Sequence, residues 1–156
     1  MIRKAHIDDC EQIYNLINTS ANEGKLLKRS LNHIYEHLRD FWVYVERGKV
    51  IACCGLGIVG WQGLGEIKSL AVKKKFQKKG IGLQLVKKCI EEASVLKLSG
   101  VFALTFVPGF FRKLKFKAIN RDKLPHKIWS DCVHCIYFPD CREEAVFLKL
   151  SASKDT

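Results

Sequence analysis

Proline is scarce in this chain of 156 residues, and its three copies, Pro108, Pro125 and Pro139, all lie in the C-terminal half. With no proline-, glycine- or serine-rich stretch there is no linker, and the length suits one domain rather than two. The sequence therefore predicts a single domain over 1–150, with 151–156 as a frayed tail. Long apolar runs are missing too. Nothing is long enough to span a bilayer, and the opening MIRKAH lacks the apolar stretch of a signal peptide. The expectation is a cytoplasmic protein without a membrane partner. Internal repeats and low-complexity segments are absent. Acidic residues are few, 16 Asp and Glu against 27 Lys and Arg, a formal charge of +11. That balance speaks against a polycationic partner and favours a polyanion, either nucleic acid or a phosphorylated cofactor. The seven cysteines are an odd number, and without a secretion signal they read as reduced thiols rather than a disulfide framework.

What is present is a core-forming pattern, with 47% hydrophobic residues. A short strand is predicted within 1–7. Asp8 or Asp9 caps a first helix, whose apolar residues recur at helical spacing through Cys10, Ile13, Tyr14, Ile17 and Ala21 up to Gly24. Ser30 opens a second helix. Strands follow over Phe41–Glu46 and Lys49–Val59, turned at Arg47-Gly48, and another over Gly65–Lys73 after a turn at Trp61–Gly63. A long amphipathic helix runs from about Gly80 to Leu98. Gly100–Phe106 is an apolar strand, Pro108 opens a short helix through Leu114, and Phe116–Asn120 and Glu144–Leu150 are the last strands. Hairpin strands followed by a strand–helix–strand unit predict an α/β (α+β) fold: one mixed, mostly antiparallel sheet of about six or seven strands flanked by about four helices.

The chemistry concentrates in residues 70–82, LAVKKKFQKKGIG. A strand ends near Val72 and a helix begins near Gly80. The loop between them holds Lys73, Lys74, Lys75, Lys78 and Lys79 beside Gly80 and Gly82. A helix N-terminus offers unpaired N–H groups and a partial positive charge to phosphates. Glycines without Cβ let a diphosphate approach the backbone. Neither G-x-G-x-x-G nor a glycine-rich loop ending in G-K-[ST] occurs, so dinucleotide and nucleoside-triphosphate folds fit less well.

The order Gln77, two residues, Gly80, one residue, Gly82, after a strand ending in Val72, resembles the signature of the GNAT superfamily of N-acetyltransferases. GEIKSLAV at 65–72, VFALTF at 101–106, FFRKLKF at 110–116 and GKLLKRS at 24–30 are similar to the acetyltransferase domain of bacterial N-acetylglutamate synthases, over about residues 2–120. In the larger synthases an amino-acid-kinase-like domain precedes this unit; short single-domain relatives also exist. The resemblance implies acetyl-coenzyme A as cofactor, held by Leu70, Ala71, Val72, Gln77, Lys78, Lys79, Gly80, Ile81, Gly82 and Phe111. It further implies direct transfer of the acetyl group to the α-amine of an acidic amino acid, most naturally L-glutamate, in the first step of arginine biosynthesis.

Such a transfer needs a base for the ammonium, donors for the thioester oxygen and an acid for the departing thiolate. By resemblance the donors are backbone N–H groups around Leu70–Val72. Glu66, six residues before Val72, is the candidate base; the plainer reading is a surface carboxylate paired with Lys68, since alternation puts Glu66, Lys68, Leu70 and Val72 on one face. Many family members carry an acidic Tyr after the fifth strand, where this chain reads Phe110-Phe111. The synthases use a hydroxyl at the end of the preceding strand, the place of Thr105, which otherwise reads as an ordinary β-branched strand residue. The acceptor's carboxylates want cations. Arg29 is the first candidate, Lys28, Lys68 and Ser69 are neighbours in the implied site, and Arg142 is the weaker second.

Cys132, Cys135 and Cys141, with His126 or His134, have a partly metal-like spacing. The reading adopted is a reduced loop without metal, and Cys53 and Cys54 read as core. Three rivals stay open: the same enzyme acting on another small amine or a protein N-terminus, a cofactor-binding regulator without catalysis, and a basic nucleic-acid module. The dense lysine cluster beside the glycines speaks for the cofactor rather than nucleic acid. The expected partner is a small amino-acid substrate, and a homodimer stays open.

Overall fold

Arg47 and Gly48 both take the left-handed backbone region, with φ of 50° and 74°. That is the mirror-image turn whose twist matches right-handed strands. It joins β2 (Phe41–Glu46) to β3 (Lys49–Val59), both with the bounds that the alternation predicts. The structure, a computed structural model, describes residues 1–24, 26, 28–60, 63–120, 123 and 144–150.

Among the described residues there are seven strands and four α-helices. They are β1 (Ile2–Lys4), α1 (Cys10–Asn22), α2 (Leu31–Glu36), β2, β3, β4 (Leu64–Val72), α3 (Ile81–Val95), β5 (Gly100–Thr105), α4 (Pro108–Arg112), β6 (Lys117–Ala118) and β7 (Glu144–Lys149). The strand order is β1-β2-β3-β4-β5-β7-β6. β1–β2, β2–β3, β5–β7 and β6–β7 are antiparallel, and β4–β5 is parallel because α3 makes the crossover. This is the mixed, largely antiparallel sheet with flanking helices that the sequence predicts. No helix among the described residues is long and apolar enough to cross a membrane.

By its internal contacts the chain divides into two compact units, Met1–Leu56 with Ile67–Glu91 and Gly57–Glu66 with Glu92–Thr156. In the first, α1 lays Cys10, Ile13, Leu16 and Ile17 onto Phe41, Val43, Val50, Cys53 and Ala71. On the opposite face Cys89 of α3 meets Cys54, the two sulfurs 3.7 Å apart. Adjacent Cys53 and Cys54 thus point to opposite faces of β3, and both are fully buried. Burial pushes the Cys53 thiol up to about 12. The hydrogen bond shared with Cys89, in which Cys54 keeps its proton, and then burial, raise Cys54 well above its ordinary value. Neither is a nucleophile at neutral pH.

Asp9 departs from the capping role. It stands at the N-cap of α1 without a side-chain cap bond. Its carboxylate instead takes two bonds from the Arg3 guanidinium, at 2.7 and 3.1 Å, and the His6 N–H at 2.7 Å. The carboxylate thus caps the 3₁₀ turn Ile7–Asp9 through the His6 N–H and pairs with Arg3, rather than capping α1. In the second unit Val59, Phe102 and Ala145 form the core, with Leu64, Leu104, Ile119 and Phe147 packed against it.

Candidate active site

β4 contains a backbone irregularity that alternation does not reveal. Ser69 has φ of 54°, rare for a residue with a Cβ inside a strand. Lys68 and Ala71 lie three residues apart yet share the face covered by α1. A Cβ on Gly55 would stand 3.3 Å from Lys68 Cγ and 3.5 Å from the Phe41 ring, and Ala71 packs in the same cluster as Phe41. A regular strand repeats every two residues, so an odd offset on one face requires an extra residue at the kink. This corrects the expectation that Glu66, Lys68, Leu70 and Val72 share one face. The parallel ladder of β4 with β5 covers Leu64↔Gly100, Gly65↔Val101 and Glu66↔Phe102, while β4 itself continues to Val72.

Beyond Val72 the backbone forms a braced loop that leads into α3. Gln77 donates its Nε2–H to the Val72 carbonyl at 3.0 Å. The first residue of the motif therefore braces the loop from its start. A 3₁₀ turn over Lys74–Phe76 lies within the brace. Lys78 and Gly80 take φ of 64° and 81°, and a Cβ on Gly80 would meet nothing within 4 Å. The N–H groups of Lys78, Lys79 and Gly80 have no acceptor among the described residues. Those of Ile81, Gly82 and Leu83 precede the first i→i−4 bond of α3, from Gln84 N–H to the Gly80 carbonyl at 3.1 Å. A run of outward N–H groups at the positive end of a fifteen-residue helix fits a diphosphate. None of the five loop lysines has a carboxylate partner among the described residues.

The candidate acceptor residues of the same unit are arranged differently. Arg29 is half-buried, and its carbonyl accepts from Asn18 Nδ2 at 3.4 Å. Its guanidinium has no partner among the described residues. Lys28 is exposed. The Lys68 ammonium lies 3.1 Å from Asp40 Oδ2, with the two side chains 17% and 28% exposed. Nothing in the sequence signals Asp40 or Asn18, because both contacts join distant positions. Near the loop, about 650 Å³ of open space is lined by Gln12, Thr19, Val72, Lys73, Lys74 and Gln77, among others.

In the second unit Glu66 stands on the last rung of the parallel ladder and is partly buried. Thr105 ends β5 and is 7% exposed. Its Oγ1 accepts the Val107 N–H at 2.9 Å. That bond uses a lone pair, so the hydroxyl proton, which has no acceptor among the described residues, remains available for donation. Phe111 is buried, edge-on to Phe110 and Phe116 with centroids 5.1 and 5.2 Å away, and offers little free surface. Arg142, His126, His134, Cys132, Cys135 and Cys141 lie outside the described residues. Among the described residues no three His, Cys, Asp or Glu side chains are grouped to hold a metal ion.

Known proteins resemble this arrangement. Residues 37–118 match the acetyltransferase (GNAT) domain. The chain is 40% identical over 145 residues to an uncharacterized N-acetyltransferase of Chlorobaculum tepidum, with 93% of each protein covered. It is 33% identical over 135 residues to the amino-acid acetyltransferase of Mycobacterium tuberculosis, covering 84% of this chain and 76% of that one. The solved structure of N-acetylglutamate synthase from Neisseria gonorrhoeae, complexed with coenzyme A and N-acetyl-glutamate, matches with a TM-score of 0.86 and 28% identity over 96% of this chain. This chain spans 35% of that longer protein.

Proposed function

The chain belongs to the acetyltransferase (GNAT) domain family, and on that premise we propose that it moves an acetyl group from acetyl-coenzyme A to the α-amine of an acidic amino acid. L-glutamate is the first candidate, which would place the enzyme at the entry to arginine biosynthesis. It is an acetyl-coenzyme A-dependent acyltransferase. The observation that carries this reading is the braced loop at 72–82, with its open N–H run and lysines without counter-charge. Those features suit the coenzyme's diphosphate.

Acetyl-coenzyme A supplies the activated acetyl thioester. The chain's residues supply the rest. Backbone N–H groups around Leu70–Val72, next to the kink at Ser69, hydrogen-bond the thioester oxygen as charge develops on it. Glu66 takes a proton from the acceptor ammonium, directly or through a water. Thr105, whose proton is free for donation, hydrogen-bonds the departing sulfur, which leaves as a thiolate stabilised by that bond. Arg29 grips the acceptor's α-carboxylate, with Lys28, Lys68, Ser69 and Arg142 as further contacts. Residues 1–150 act as one acetyltransferase domain, and Cys132, Cys135 and Cys141 are reduced thiols without metal.

One observation favours a second acceptor class. Asp40 offsets the charge of Lys68, which weakens the case for two acidic groups on the acceptor and leaves a neutral amino acid or another small amine as the alternative. A thiol-release assay with acetyl-coenzyme A against the twenty amino acids tests both. Glutamate is expected to lead, and Glu66→Gln is expected to lower kcat about 10²-fold and remove the acidic limb of the rate profile. Release that depends on no amino acid would remove the acceptor assignment. An unchanged rate profile would remove Glu66 as base.

A further inference from the structure

The side chains of Lys75, Phe76 and Lys79 form a small cluster in the same loop. The Lys75 ammonium lies 5.5 Å from the centroid of the Phe76 ring and that of Lys79 lies 5.6 Å from the same centroid. The backbone that carries the ring is tied down. The Phe76 N–H bonds to the Lys73 carbonyl at 2.8 Å, and the next residue is Gln77, tied to Val72. One aromatic ring thus has two ammoniums within about 6 Å of its centroid. No carboxylate pairs with either of them among the described residues. Two ammoniums beside one ring without a carboxylate partner attract a dianion more strongly than a monoanion.

The charges of coenzyme A fit this arrangement. Each phosphate of its diphosphate bridge carries one negative charge, and the bridge matches the backbone N–H run at 78–83. The ligand's remaining anion is a 3′-phosphomonoester, which carries about −1.5 to −2 at neutral pH. We propose that Lys75 and Lys79, beside Phe76, bind the 3′-phosphate of the coenzyme's nucleotide end, so that the protein distinguishes coenzyme A from 3′-dephospho-coenzyme A. The proposal rests on the cofactor reading above and adds to it a discriminating subsite.

The test is titration calorimetry of the full chain with coenzyme A and with 3′-dephospho-coenzyme A, for the native sequence, Lys75→Gln and the Lys75→Gln/Lys79→Gln pair. Both lysines are exposed, so the variants keep their core, and equal melting temperatures verify this. The native protein is expected to bind coenzyme A about tenfold more tightly than the dephospho form, as one or two charge-assisted contacts allow. That preference should shrink in the single variant, fall to within about twofold in the double one and weaken with added salt. Equal native affinities would overturn the subsite and leave the cofactor reading standing. So would a double variant that loses both ligands equally, since the lysines would then act only as general attraction. Binding of neither ligand would remove the cofactor reading together with the subsite.

Discussion

Two sets of lysines in the same unit are treated in opposite ways. Those of the 73–79 loop have no acidic partner among the described residues. Lys68, five residues before the first of them, is matched to Asp40 and mostly covered. An unmatched charge on an exposed loop adds little to folding and is available to a ligand. A matched, half-buried charge is fixed in direction and much of its field is cancelled. Charge count alone therefore says little about where a ligand binds. What tells the two apart is the presence or absence of a partner carboxylate.

The comparison breaks most visibly at the loop's glycines. If the unmatched region works through backbone N–H groups, a bulky residue at position 82 should cover them while the lysines stay. Gly82→Leu is expected to weaken acetyl-coenzyme A binding at least about 10²-fold, the equivalent of one or two lost charge-assisted hydrogen bonds. Calorimetry on a variant with native circular dichroism measures it. Unchanged affinity would mean that the lysine side chains alone hold the anion and that the backbone cradle is incidental.

A smaller effect is expected on the matched side. Arg29→Ala should raise the acceptor's KM about tenfold, the loss of one charge-assisted contact, and leave the cofactor's KM nearly unchanged. Asp40→Asn turns Lys68 into an unmatched cation of the loop's kind. If Lys68 faces the acceptor's second carboxylate, this variant should lower the KM for glutamate severalfold and leave that for glutamine where it was. Steady-state kinetics with both amino acids read the difference. Equal response of the two would show that Lys68 and Asp40 serve packing only.

The same contrast separates what the sequence discloses from what it does not. The 72–82 loop is local: strand, lysines, glycines and helix follow one another in the chain, so periodicity and spacing reveal it. The β2–β3 hairpin is equally local, and its turn residues announce it. The kink at Ser69 is not visible, because serine carries no preference for positive φ and the odd offset between Lys68 and Ala71 is known only from what each side chain packs against. Asp40 and Lys68 are 28 positions apart, and Asn18 and Arg29 are 11. Such contacts come from tertiary packing. Asp9 misleads for a related reason: its type and place suit a helix cap, but Arg3 on β1 comes within reach only when the sheet forms.

Asp9 and Arg3 carry the contrast over to stability, where the smallest effect is expected. Asp9 is 4% exposed. Burial alone would raise its carboxyl, but the hydrogen bonds from Arg3 and from the His6 N–H, with the nearby positive charge, outweigh it and hold the group below its ordinary value. A depressed folded value means that the native state binds the proton less readily than the unfolded chain does. The stabilisation is therefore complete at neutral pH, begins to shrink as pH falls below the unfolded value of about 3.9, and is lost once pH has passed through the folded value. Asp9→Asn keeps an acceptor for His6 but removes the charge opposite Arg3, and it should cost about 1 kcal/mol at pH 7. In urea titrations from pH 7 to pH 2 the gap between native and variant proteins should close on the acid side. The loop supplies the control: Lys75→Gln has no carboxylate partner to lose, only an exposed contact with the Phe76 ring, so it should leave stability within about 0.5 kcal/mol at every pH. A gap for Asp9→Asn that persists unchanged to pH 2 would mean that the site is held by shape and hydrogen bonding, and that its matched charge contributes no more to folding than the unmatched ones do.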